Sequence, residues 1–155
     1  VLYHSATRKK NLGRDFRYAD LDTLFKRSDF LSLHCPLNEE TRQIVNKRTL
    51  SLMKPRAVLI NTARGGLVDE TALAEALDSG RLAAALLDVV AEEPIKESNV
   101  LLCAKNCLIT PHVAWAATRQ DVVYDAAVNV GAFYDGYPDN VVNGVPAREE
   151  YRKKI

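Results

Sequence analysis

The stretch Ala57-Val58-Leu59-Ile60-Asn61-Thr62-Ala63-Arg64-Gly65-Gly66-Leu67-Val68-Asp69 decides the fold. Its first four residues are an apolar run long enough for one buried strand, and a helical pattern begins near Asp69. An arginine therefore sits in a strand-to-helix turn, beside two glycines that let the backbone pass close to another segment. In an open parallel sheet such turns lie at the carboxyl edge, where ligands bind. Taken alone, Arg64 reads equally well as a surface residue of an ordinary loop. The rest of the chain separates the two readings.

Toward the N-terminus, a helix beginning at Asn46 or Lys47 ends at Lys54-Pro55, because proline disfavours the helical conformation in the residue before it. Asn38 to Thr41 opens a short helical segment. Phe30 to Cys35 is a strand stopped by Pro36. Before it, Leu21, Leu24 and Phe25 form the stripe of a helix capped by Asp20 or Asp22. Val1 to His4 and Phe16 to Ala19 read as short strands, with Gly13 breaking the polar stretch between them. Toward the C-terminus, Leu73, Ala76 and Leu77 mark a helix from Asp69 to Ser79-Gly80. Ala84 to Val89 and Asn106 to Thr110 are further strands, separated by a turn at Glu92-Glu93-Pro94. A long helix is expected from Ala116 to Tyr134, with Val122, Val123, Ala126, Ala127, Val130 and Phe133 on one face. A patternless tail follows Asn143. Continuously apolar strands separated by helices indicate an α/β fold, a parallel sheet with helices on both faces. Right-handed crossovers then bring all strand ends to one edge.

A length of 155 residues allows one domain. Lys+Arg 21 against Asp+Glu 20 leaves a net charge of +1, which gives no electrostatic case for nucleic acid or a membrane surface. Arg8-Lys9-Lys10 and Arg152-Lys153-Lys154 are local clusters only. No apolar run approaches the roughly 20 residues a membrane span needs, and no signal-peptide pattern opens the chain. Three cysteines, Cys35, Cys103 and Cys107, argue against a disulfide scaffold and for a reducing, cytoplasmic setting. Cys103 and Cys107 lack companion ligands for zinc, so no metal site is expected. The opening on Val1-Leu2-Tyr3, without methionine, reads as a chain cut at the start of a strand.

The expected carboxyl edge gathers His34, Asn61, Arg64, Asp88, Glu93 and His112 from separate strands. An imidazole at His112 suits proton transfer near neutral pH, and a carboxylate at Glu93 beside it would stabilise the imidazolium. Arg64 offers a planar fork that fits a carboxylate. Together these would bind an anionic carbonyl compound and protonate its oxygen. Such a reduction needs a hydride donor, here a nicotinamide cofactor. Each residue also has a purely structural reading. His112 could cap the last helix, Glu93 could be an exposed turn acid, Asp88 could cap a following segment, and Arg64 could pair with Asp69. One by one those readings suffice, but they do not explain the convergence.

These residues fall in motifs that resemble the D-isomer-specific 2-hydroxyacid dehydrogenases. The matching segments are Ser32 to Leu37, Met53-Lys54-Pro55, Ile60 to Asp69, Leu87-Asp88-Val89 with Glu92-Glu93-Pro94, and Thr110-Pro111-His112-Val113-Ala114-Trp115. The resemblance runs from Val1 to about Asn143. It implies an NAD(P)-dependent oxidoreductase with a Rossmann-like fold, working on a small 2-oxo or D-2-hydroxy acid. The roles it implies are catalytic for Arg64, Glu93 and His112, with Arg64 also holding the substrate and Glu92 the less apt neighbour of Glu93. Cofactor contacts fall on Ser5, Arg8, Cys35, Pro36, Thr41, Thr62, Ala63, Asp88, His112 and Ala114. Trp115 matches an aromatic beside the substrate in the glycerate and glyoxylate branch, pointing to hydroxypyruvate or glyoxylate. A homodimer is implied for the intact enzyme. The same resemblance extends to dinucleotide-sensing corepressors, so a binding module is the alternative, as is a fragment without activity of its own.

Two departures from the family pattern stand out. Its glycine-rich phosphate loop and first nucleotide-binding strand would precede Val1, so the sheet is expected to be incomplete, with a gap between the strands at Val1 and Phe30. Residues 1–112 would then be the later part of a dinucleotide-binding domain, 113–143 the long helix and crossover, and 144–155 a tail. The region after the first strand reads His4-Ser5-Ala6-Thr7-Arg8-Lys9, with no carboxylate for ribose hydroxyls and basic residues that suit a 2′-phosphate. NADP(H) is therefore the expected cofactor of the intact enzyme, while the chain alone is expected to bind cofactor poorly and to turn over slowly or not at all.

Overall fold

The computed structural model describes residues 1–10 and 12–114. Among them are the strands β1 (Leu2–Tyr3), β2 (Arg17–Tyr18), β3 (Phe30–Leu33), β4 (Val58–Asn61), β5 (Ala84–Leu87) and β6 (Cys107–Ile109). The helices are α1 (Leu21–Arg27), α2 (Lys47–Leu52) and α3 (Glu70–Asp78), with 3-10 turns at Gly65–Leu67 and Val100–Leu102. Val1–Ala114 form one compact unit. The expected helix over Ala116 to Tyr134, Trp115 and the tail lie outside the described residues.

Every ladder is parallel. β3, β4, β5 and β6 lie side by side in chain order, while β1 and β2 pair in a separate ladder. No ladder joins β1 to β3 among the described residues, which is where the family resemblance implies a gap. Each crossover from β3 to β6 steps one strand in the same direction. Right-handedness therefore puts all three connections on the same face of the sheet. Leu31, Leu33, Leu59, Asn61, Ala85 and Leu87 point to that face and are buried. The apolar ones among them pack with Phe25 of α1, Leu50 of α2 and Leu73 and Leu77 of α3. On the opposite face Phe30, Leu86 and Leu108 are exposed. An apolar hollow of about 320 Å³ lies there, lined in part by Ile60, Leu86, Leu108 and Val113.

Local chemistry fixes the helix starts. Asp20 caps α1 by accepting the Thr23 N–H at 2.8 Å, while Asp22 pairs with Arg48 instead. Asn46 caps α2 in a reciprocal box with Thr49. Asp69 caps α3 through the Ala72 N–H at 3.0 Å, and Gly80 follows it at φ +72°. The strands are shorter than the apolar runs suggest, because the chain leaves its ladder at each carboxyl end to build a turn. The segment Asn38 to Thr41 is a turn, not the expected helix. The Thr41 hydroxyl donates to the Pro36 carbonyl at 2.7 Å, and Asn38 Oδ1 accepts the Thr41 N–H at 3.0 Å. These side chains satisfy the backbone in place of helical bonds.

Candidate active site

The arginine turn is built from below by Asn61, which is fully buried at the end of β4. Its Oδ1 accepts the Ala63 N–H at 3.1 Å, and its Nδ2 donates to the Arg64 carbonyl at 3.0 Å. Asn61 therefore braces the turn and does not reach outward. Gly65 presses on the loop after β5: a Cβ there would lie 1.9 Å from the Val90 carbonyl carbon and 2.4 Å from the Ala91 nitrogen. Only glycine fits. Arg64 is left exposed, its Nη1 donating to the Ala63 carbonyl at 2.6 Å. Asp69, a possible surface partner, is occupied as the α3 cap. Thr62 is exposed at the same edge and Ala63 is half-buried.

Asp88, just past β5, is only 4% exposed. Thr110 Oγ1 donates to its Oδ1 at 2.5 Å, the Val113 N–H to Oδ1 at 2.9 Å and the Ala114 N–H to Oδ2 at 2.8 Å. Burial pushes this carboxyl up, but the Thr110 hydroxyl and the two backbone N–H groups outweigh it and hold it below the usual carboxylate range. The carboxylate thus ties the end of β5 to the segment after β6. Within that segment His112 adopts φ +54°, and its N–H bonds the carbonyls of Asp88 at 2.9 Å and Thr110 at 3.0 Å.

His112 Nδ1 lies 2.8 Å from Glu93 Oε2. A carboxylate can only accept, so Nδ1 carries a proton and Nε2 is the ring's other functional nitrogen. Glu93 Oε1 accepts the Val90 N–H at 3.2 Å. The bond from His112 lowers the Glu93 carboxyl most; burial opposes it, and the Val90 N–H and the charges of His112 and Arg64 add to the lowering. Glu92 points elsewhere, to Lys96 at 2.6 Å. Arg64, Asp88, Glu93 and His112 are therefore brought to one edge of the sheet.

The remaining expected residues sit around this edge. Cys35 is half-buried after β3, where burial pushes its thiol up, and Pro36 and Thr41 form the adjoining turn. His34 Nε2 bonds the Ser32 hydroxyl at 2.8 Å. Ser5 and Arg8 follow β1. The Ser5 hydroxyl donates to Thr7 at 2.7 Å, and Arg8 lies 5.8 Å from the Tyr18 ring centroid. Two contributors escaped the sequence reading. Thr110 could have been found as the hydroxyl closing the last strand. Glu70, whose carboxylate bonds the Ala91 N–H, gives no local signal because its partner is 21 residues away. Among the described residues, no three His, Cys, Asp or Glu side chains gather as metal ligands, and no helix is long and apolar enough to cross a membrane.

Residues 1–114 match the model of the D-isomer specific 2-hydroxyacid dehydrogenase NAD-binding domain. The chain is 50% identical over 146 residues to a hydroxypyruvate reductase of Blautia hydrogenotrophica, covering 92% of this chain and 45% of that protein. Among solved structures it is similar to an NADPH-dependent glyoxylate/hydroxypyruvate reductase from Sinorhizobium meliloti in complex with NADP and malonate. That match has a TM-score of 0.74 at 37% identity, over 86% of this chain and 42% of the other. It is also similar to a D-isomer specific 2-hydroxyacid dehydrogenase from Lactobacillus delbrueckii in its NAD complex, with a TM-score of 0.76 at 31% identity, over 92% and 48%. The chain spans about half the length of the curated relatives it matches.

Proposed function

The chain belongs to the D-isomer specific 2-hydroxyacid dehydrogenase family, and from that membership we propose that it serves hydride transfer between a nicotinamide dinucleotide and a small 2-oxo or D-2-hydroxy acid. The observation that carries this reading is the 2.8 Å bond from His112 to Glu93 beside the exposed guanidinium of Arg64. Arg64 presents its fork to the substrate carboxylate. Glu93 stays ionised and keeps Nδ1–H of His112, so the proton that moves is the one on Nε2. In reduction that proton passes to the carbonyl oxygen as the oxygen gains negative charge, and in oxidation the neutral ring takes it back. The nicotinamide, when bound, supplies the hydride to the carbonyl carbon.

The residues fit such a cofactor in part. Asp88 has about four acceptor positions as a carboxylate, and Thr110, Val113 and Ala114 use three. One position is left for a carboxamide N–H. The turns holding Cys35, Pro36 and Thr41, and Thr62 with Ala63, would line the dinucleotide, with Ser5 and Arg8 near its adenosine end. No carboxylate lies between His4 and Lys10, and Arg8 makes no ion pair among the described residues. This favours NADP(H). The names of the relatives support hydroxypyruvate or glyoxylate as substrate. Family resemblance supports a homodimer, and three unpaired cysteines suit the cytoplasm.

The test is turnover of glyoxylate, hydroxypyruvate and pyruvate by the intact enzyme, followed by absorbance of NADPH or NADH. The reading expects the highest kcat/KM with NADPH and one of the first two acids. Dinucleotide binding with no turnover of any 2-oxo acid would refute it, and a strong preference for NADH would refute the cofactor assignment alone.

A further inference from the structure

Glu70 stands in the first turn of α3, apart from the His112 pair, and its carboxylate reaches into the loop that carries Glu93. It accepts the Ala91 N–H at 2.7 Å on Oε1 and Nδ2 of Asn99 at 2.9 Å on Oε2. Asn99 is itself fixed, because its Oδ1 accepts the Leu101 N–H at 2.9 Å. Gly65 meets the same loop from the side of the arginine turn, at Val90 and Ala91. The loop has no strand or helix of its own between Asp88 and Asn99. Val90 and Ile95 anchor it in the core, and these contacts set its backbone at Ala91 and Asn99. Ala91 is two residues from Glu93, whose Oε1 already depends on the Val90 N–H.

We propose that Glu70 is a positioning residue: by gripping Ala91 and Asn99 it holds the Val90–Glu93 segment where Glu93 can bond His112. This rests on the reading of Glu93 and His112 as the acid/base pair. Two donors converge on Glu70, one from the backbone and one from an amide, and a carboxylate accepts both. A glutamine keeps an acceptor for Ala91 but sets its own N–H groups against those of Asn99. An alanine leaves both donors without a partner. Glu70 bonds neither Glu93 nor His112, so its effect on them travels through the loop. The groups facing Glu93 are His112 and Arg64, while the neighbouring Glu92 is taken by Lys96.

The Glu93 carboxyl is the readout, titrated by NMR in the 155-residue chain with labelled glutamate. His112→Gln sets the scale, since it removes the largest lowering influence and should move the Glu93 midpoint up. Glu70→Ala should move it in the same direction by at least half as much. Glu70→Gln should stay nearer the wild type, and Asn99→Ala should fall between. A folded Glu70→Ala chain with the wild-type Glu93 midpoint overturns the proposal. If Glu70→Ala does not fold, Asn99→Ala decides, and an unmoved midpoint there overturns it. If His112→Gln itself leaves Glu93 unmoved, the pairing fails and the proposal falls with it. A shift in His112→Gln without one in the loop variants removes the proposal alone.

Discussion

His112 carries two burdens at one position: a left-handed backbone at φ +54° and the imidazole bonded to Glu93. An L residue held there costs about 1 kcal/mol, and the bonds of its N–H to Asp88 and Thr110 offset this. On the proposed reading, replacing His112 by Gln in the intact enzyme should lower kcat by about 10²–10⁴-fold, the range for a lost general acid. Near-normal turnover in steady-state assays would show that another group moves the proton. The Glu93 carboxyl titrates below its unfolded value. Its bond to His112 therefore contributes stability that is complete above the ordinary carboxylate range and fades as pH falls through the folded value. Gly65 is equally constrained. An alanine there must displace the Val90–Ala91 backbone, because its Cβ would overlap main-chain atoms that cannot rotate away. Overpacking of this kind costs about 1–3 kcal/mol. Thermal unfolding of Gly65→Ala should begin several degrees below the wild type, and an unchanged Tm would mean that the loop after β5 yields freely.

At the scale of elements, the Asp88 carboxylate joins β5 to the segment after β6 through three donors. Asp88→Asn keeps the shape but turns an amide toward at least one backbone N–H, leaving a donor unpaired. The expected loss is about 1–3 kcal/mol, measured by denaturant unfolding near neutral pH. The folded carboxyl titrates low, so the wild type should keep this advantage above the ordinary carboxylate range and lose it as pH falls through the folded value, converging on Asp88→Asn. A constant difference at all pH values would deny the carboxylate this role. Such ties also explain what the chain reveals in advance. β4, β5 and β6 are legible because each is an apolar run ended by a polar residue or proline, and β3 because only Ser32 interrupts its apolar residues before His34 and Pro36. The starts of α1, α2 and α3 were legible because Asp20, Asn46 and Asp69 are capping residues before apolar stripes. The turn at Asn38 to Thr41 reads as helical in the sequence, since the side-chain bonds that replace helical ones depend on geometry rather than periodicity. The 3-10 turns Gly65–Leu67 and Val100–Leu102 span too few residues to show a period. In the site, the convergence of Arg64, Glu93 and His112 follows from strand ends sharing an edge. The inward use of Asn61 and the reach of Glu70 depend on partners that only the fold brings near.

For the molecule as a whole, crossovers that all step the same way leave the second face of the β3–β6 sheet to other coverage. Phe30 is 73% exposed and Leu108 60% on that face, at opposite margins of the sheet. β3 also has an edge that no strand pairs among the described residues. An unpaired edge beside exposed apolar side chains favours association between chains. The separation of β1–β2 from β3–β6 was anticipated only through family resemblance, because pairing between distant strands leaves no mark on local pattern. Its physical consequence is testable on the 155-residue chain. Sedimentation should show association that grows with concentration. Phe30→Lys with Leu108→Lys should reduce it, since lysine places charge on the face and at its edge. Both positions are exposed, so each change should alter unfolding free energy by no more than about 0.5 kcal/mol, and loss of association can be read apart from loss of fold. A chain that stays monomeric across the concentration series would mean that this face is covered in solution, and the lysines would then lower stability instead of association.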